Sequence, residues 1–117
     1  MTTYCMGKRS DRVEINVWND SNGQPVLNIE APNLPNGKMF SGPVFRTIRR
    51  LLTELDRTGI DMVYQIADGY TIAVRQYYGI KTELMVEKDT TEESDKSRVT
   101  IVLPKASTML AIMNGLE

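Results

Sequence analysis

The sequence predicts an α+β fold: an antiparallel sheet of about six strands in the order β-β-α-β-β-β-β-α, with one long amphipathic helix on a face and a short C-terminal helix. Three observations carry this expectation. Residues 12–18 (RVEINVW) and 81–87 (KTELMVE) alternate apolar and polar side chains with the period of a half-buried strand. Residues 61–78 form two strand-like runs joined by Asp68-Gly69, a strong hairpin signal. Between the first and second of these regions, residues 43–58 repeat apolar side chains at helical spacing.

Residues 1–11 contain Lys8 and Arg9 among polar neighbours, with Arg12 next in sequence, and read as a flexible N-terminal arm able to touch phosphate. In 12–18, Val13, Ile15 and Val17 share one face while Glu14, Asn16 and Trp18 share the other. Residues 19–24 (NDSNGQ) are dense in turn formers, and 25–30 (PVLNIE) is the returning strand, with Pro25 tolerable at its first position. Residues 31–42 (APNLPNGKMFSG) contain two prolines and two glycines and read as an irregular loop. The helix follows, with Ser41 as its expected N-cap, Pro43 in its first turn and Gly59 closing it. Val44, Phe45, Ile48, Leu51, Leu52 and Leu55 make its apolar stripe; Arg46, Arg49, Arg50, Glu54 and Arg57 lie opposite. After the hairpin and the strand at 81–87, residues 88–96 read as an exposed acidic loop. Residues 97–103 make a last strand ended by Pro104, and 106–116 a short helix.

A two-residue turn at Asp68-Gly69 fixes the pairing of the central hairpin by counting outward. Val63 faces Val74, Gln65 faces Ile72 and Ala67 faces Tyr70 on one side. Met62 faces Arg75, Tyr64 faces Ala73 and Ile66 faces Thr71 on the other, with Tyr77 farther along. A hairpin with one face in water is polar on that face. This one is mixed on both, so the face of Tyr64, Arg75 and Tyr77 requires a cover. A helix of about 16 residues spans roughly 24 Å and does not cover both sides of a six-stranded sheet.

The 117 residues suit a single domain, 1–117, with a core large enough to dispense with disulfides and metal. Fourteen Lys and Arg against fifteen Asp and Glu leave a net charge of −1, so no overall field favours nucleic acid or an anionic surface. No apolar run approaches the ~20 residues that span a bilayer, and the opening MTTYCMGKRSDR lacks the apolar stretch of a secretory signal. With the lone Cys5, the expectation is a cytoplasmic protein. Histidine is absent, which removes Cys-His and Ser-His-Asp nucleophile sites and zinc sites built on His and Cys.

These readings point to a non-enzymatic interaction protein, an adaptor or an inhibitor of a larger protein partner, that self-associates as a dimer through a sheet face or edge. Tyr64, Arg75, Tyr77 and Tyr78 are the expected partner contacts, because Tyr and Arg anchor protein interfaces; burial of the same rings in the core is the competing outcome. The alternative is a nucleic-acid or nucleotide binder. There Arg46, Arg49, Arg50 and Arg57 would take phosphate, and the tyrosines with Arg75 would stack bases. What remains for catalysis is carboxylates, Lys, Tyr, Arg or a carboxylate-bound Mg²⁺, with Asp61 and Asp68 the foremost carboxylates, and no catalytic residue, metal ligand or cofactor is assigned. The acidic residues 89–95 and the Asp20–Gly23 turn lack the spacing of a calcium loop. Cys5, although close to Lys8 and Arg9, reads as an ordinary thiol.

Overall fold

Each half of the chain runs four strands and then a helix. The structure, a computed structural model, describes residues 2–7, 9–67, 69–77, 80–88 and 98–115. The first half contains β1 (Thr2–Met6), a short 3-10 turn at Arg9–Asp11, β2 (Val13–Asn19), β3 (Pro25–Ala31), β4 (Leu34–Ser41) and α1 (Pro43–Thr58). The second contains β5 (Met62–Ala67), β6 (Tyr70–Tyr77), β7 (Lys81–Lys88), β8 (Arg98–Pro104) and α2 (Ala106–Asn114). The class is α+β as expected, but the strands form two four-stranded antiparallel sheets, β1-β2-β3-β4 and β5-β6-β7-β8, in place of a single six-stranded one.

The two additional strands come from segments read as irregular. Thr2–Met6 pairs with β2 from Thr2↔Val17 to Met6↔Val13, where an arm was expected. Tyr4 and Met6 turn inward against the core, while Thr3 and Cys5 face out. Leu34–Ser41 pairs with β3 despite Pro35 and Gly37, because it is an edge strand and can lack a ladder donor on its open side. Its register slips between Ile29 and Ala31, and only Phe40 is buried, which hid the alternation. Ser41 therefore ends β4, and Gly42 takes the N-cap position of α1 with no side-chain cap. Gly59 ends α1 in a left-handed conformation, its N–H donating to the carbonyl of Leu55 at 3.0 Å.

The inner faces of both sheets and both helices share one core. Ile15, Val17, Leu27 and Ile29 come from the first sheet, Ile72, Val74, Leu84 and Leu103 from the second, and all are essentially inaccessible. Helix α1 contributes Phe45, Ile48, Leu51, Leu52 and Leu55 and packs against β5 and β6, against β3 and β4, and against α2. Helix α2 in turn touches β1 and β8. The helix pair thus bridges the two sheets along their inner sides, and the outer faces are left uncovered by it. No described helix is long and apolar enough to cross a membrane.

Asp68, Tyr78 and residues 89–96 of the expected acidic loop lie outside the described residues, as do Met1 and Lys8 of the expected arm.

Candidate functional site

The hairpin β5–β6 has the pairing that counting outward from Asp68-Gly69 gives: Met62↔Arg75, Val63↔Val74, Tyr64↔Ala73, Gln65↔Ile72, Ile66↔Thr71 and Ala67↔Tyr70. Ile72 and Val74 point into the core and Val63 packs against it. Alternation then sends Met62, Tyr64 and Ile66 to the opposite side. They are 52%, 61% and 66% exposed, a column of three large apolar side chains on one edge strand. Burial of Tyr64 in the core, the competing expectation, is not what the fold does.

Continuing the register across β7 and β8 lays out three rows of the outer face, beyond which Tyr77, Lys81 and Pro104 make a fourth. Met62, Arg75, Glu83 and Val102 form the first; Tyr64, Ala73, Met85 and Thr100 the second; Ile66, Thr71, Glu87 and Arg98 the third. Ala73 is the small residue of the middle row. Its methyl group floors an open trough of about 250 Å³ bordered by Met62, Arg75, Glu83, Met85, Arg98 and Thr100. The face is therefore apolar along β5 and charged along β6–β8, with a shallow depression between.

Its two arginines are matched within the sheet. Arg75 Nε lies 2.7 Å from Glu83 Oε1, directly opposite in the register. Arg98 Nη2 and Nε lie 2.6 and 2.7 Å from Glu87 Oε2. The hydrogen bond and charge of Glu83 hold the Arg75 guanidinium above its already high ordinary pKa. A face whose described arginines are each paired with a carboxylate has little net attraction for phosphate.

The arginines of α1 lie elsewhere. The helix covers the inner side of β5 and β6, whereas Arg75 and Tyr64 are on the outer side, so the two groups do not make one Arg/Tyr surface. Within the band, Arg46 Nη2 donates to Gln24 Oε1 at 2.7 Å, and the Arg49 guanidinium lies 5.6 Å from the centre of the Phe45 ring. Arg50 and Arg57 are exposed. Tyr77 sits half-buried at the far end of β6, paired with Lys81, at the margin of a groove between the two sheets. In that groove Asn33 Nδ2 donates to the carbonyl of Thr100 at 3.0 Å and ties the β3–β4 turn to the open edge of β8.

On the first sheet, Arg12 Nη2 donates to the exposed Cys5 Sγ at 3.2 Å, and that contact, with Glu14 and Glu30 nearby, raises the Arg12 pKa. Arg12 is thus spoken for by its own sheet. Among the described residues no cluster of three or more His, Cys, Asp or Glu is placed to hold a metal ion.

Sequence reasoning reached Tyr64 and Arg75 but not Glu83, Met85, Arg98 and Thr100, which complete the face. The signal was present: 81–87 alternates with Glu83, Met85 and Glu87 on its wet side, and a connection of residues 78–80 sets Glu83 opposite Arg75. No protein-family model matches the chain, and no curated protein matches its sequence.

Proposed function

We propose that the protein is a non-enzymatic protein-interaction module that self-associates through the outer face of β5–β8. The single observation that carries this reading is the exposed column Met62, Tyr64 and Ile66. Three adjacent large apolar side chains on one side of one strand form a contiguous patch, and contiguous patches rimmed by polar groups mark contact surfaces. Burying such side chains in a contact is worth about 25 cal/mol per Å² of apolar area. The paired charges beside them supply the polar rim common to interfaces. A role as adaptor or as inhibitor of a larger partner uses the same face.

Size-exclusion chromatography with light scattering, run over a range of protein concentrations, tests the proposal. The wild-type chain is expected at the mass of a dimer, and Tyr64→Lys with Ile66→Lys at the mass of a monomer. Both positions are already in solvent, so melting temperature, compared at a concentration where the wild type is dissociated, changes little. A wild-type chain that stays monomeric at every concentration overturns the reading, as does a dimer that survives the double substitution.

Exposed Arg50 and Arg57 support a second reading, in which α1 contacts the phosphates of a nucleic acid or nucleotide. It requires oligonucleotide binding that falls steeply with added salt and is lost in Arg50→Ala/Arg57→Ala. The matched charges of the outer sheet face favour the protein partner.

A further inference from the structure

The outer face of β5–β8 is self-complementary under one particular two-fold rotation. Consider a second copy laid face to face, its two-fold axis parallel to the strands. If the axis runs between β6 and β7, β6 of each copy lies over β7 of the other and β5 lies over β8. The rows stay in register. Arg75 then stands over the second copy's Glu83 and Glu83 over its Arg75, so two internal ion pairs close into a four-membered ring of alternating charge. In the next row Met85 projects into the depression floored by Ala73, and the reciprocal contact follows by symmetry. At the flanks Met62 meets Val102 and Tyr64 meets Thr100, while in the third row Ile66 meets the aliphatic stem of Arg98, whose guanidinium stays on Glu87, and Thr71 lies over Glu87.

Axes along β6 or β7, across the middle row or between the outer strand pairs fail on charge or coverage, and one across the strands between the Arg75 and Ala73 rows sets Arg75 and Glu83 against apolar side chains in place of opposite charges. An axis along β6 sets Arg75 on its own copy, and one along β7 sets Glu83 and Glu87 on theirs. An axis across the strands through the middle row stacks Glu83 on Glu87. Like charges facing each other in a contact repel and suppress the pairing. Axes between β5 and β6 or between β7 and β8 avoid this but engage only two strands from each copy.

Size permits the arrangement. Four strands about 4.8 Å apart, with some seven residues at about 3.3 Å each, present roughly 19 × 23 Å, so two such faces approach the ~1,000 Å² of a specific interface once corrugation is included. The helices lie on the inner side of the sheet and do not intrude. A second copy satisfies the demand that the same patch be complementary to itself, with the sheets near the aligned packing angle.

We infer that the protein forms a two-fold symmetric dimer in which the outer faces of β5–β8 pack together, with Arg75 and Glu83 exchanging partners across an axis between β6 and β7. This rests on the self-association proposed above and specifies its geometry. The test uses Arg75→Glu and Glu83→Arg as separate proteins, checked for folding by circular dichroism. Each sets like charges across the axis and is expected to be monomeric by light scattering. Mixed in equal amounts they restore both cross-axis attractions and form a heterodimer. The combined variant Arg75→Glu/Glu83→Arg keeps an opposite-charge pair within its own sheet. It is expected to dimerise with itself yet not to exchange subunits with wild-type chains in native mass spectrometry.

Monomers that remain monomers on mixing, single variants that still dimerise, or a double variant that exchanges freely with wild type would each overturn the two-fold arrangement. If those results come with a dimer that Tyr64→Lys/Ile66→Lys dissociates, the contact face stands and only the axis falls. A wild-type monomer ends both.

Discussion

At Gly7 and Gly59 the backbone has positive φ angles of 79° and 67°, but the two positions differ in what surrounds them. A Cβ at Gly59 meets nothing within 4 Å, so Gly59→Ala carries only the left-handed backbone penalty of about 1–2 kcal/mol. A Cβ at Gly7 falls 2.5 Å from the Asp11 carbonyl oxygen, a backbone atom in the 3-10 turn that joins β1 to β2. Relief there requires the turn itself to move. Urea denaturation should therefore rank Gly7→Ala as more destabilising than Gly59→Ala. Equal losses would show that the turn gives way without resistance.

Strand β1 is the element on which sequence and structure part most clearly, and amide exchange distinguishes them. A flexible arm exchanges at intrinsic rates. A strand at a sheet edge directs alternate N–H groups to its one neighbour, so alternate amides of Thr2–Met6 should be protected, and less strongly than those of β2, which is flanked on both sides. Uniformly fast exchange over these residues would restore the arm. What made α1 and the β5–β6 hairpin legible was redundancy. The helix carries a continuous apolar stripe, a Pro start and a Gly stop; the hairpin carries two alternating runs and a turn that sets the register. In β1 the inward Tyr4 and Met6 flank Cys5, and Thr2 and Thr3 are alike, while in β4 only Phe40 is buried, so neither sequence carries the apolar–polar alternation of a half-buried strand. The same limit applies to the candidate face. Tyr64 and Arg75 stand out by type, whereas Ala73 and Thr100 matter only through the row they occupy, and rows exist once all four strands are paired.

Across the whole molecule, the two sheets are separate in strand pairing but not in packing, and this decides how the chain unfolds. α1 buries its stripe against both, α2 reaches β1 from one sheet and β8 from the other, and a single apolar cluster runs through both sheets and both helices. Neither sheet keeps its inner face covered if the other opens, because the helices that shield it are shared. Unfolding should then be one cooperative transition. Trp18, the sole tryptophan, lies half-buried in β2 and reports the first sheet, while far-UV circular dichroism reports both. Their urea midpoints should coincide at any one protein concentration, which must be fixed because association shifts apparent stability. A sharper form uses Leu84→Ala, a fully buried position in β7 of the second sheet. Removing those methyl groups costs about 2–5 kcal/mol. If the core is common, the Trp18 transition moves to lower urea by as much as the dichroism signal, although no atom of the first sheet has been changed. A tryptophan midpoint that stays in place while the dichroism signal splits would mean that the sheets are independently stable. The shared helices would then be a contact between two units.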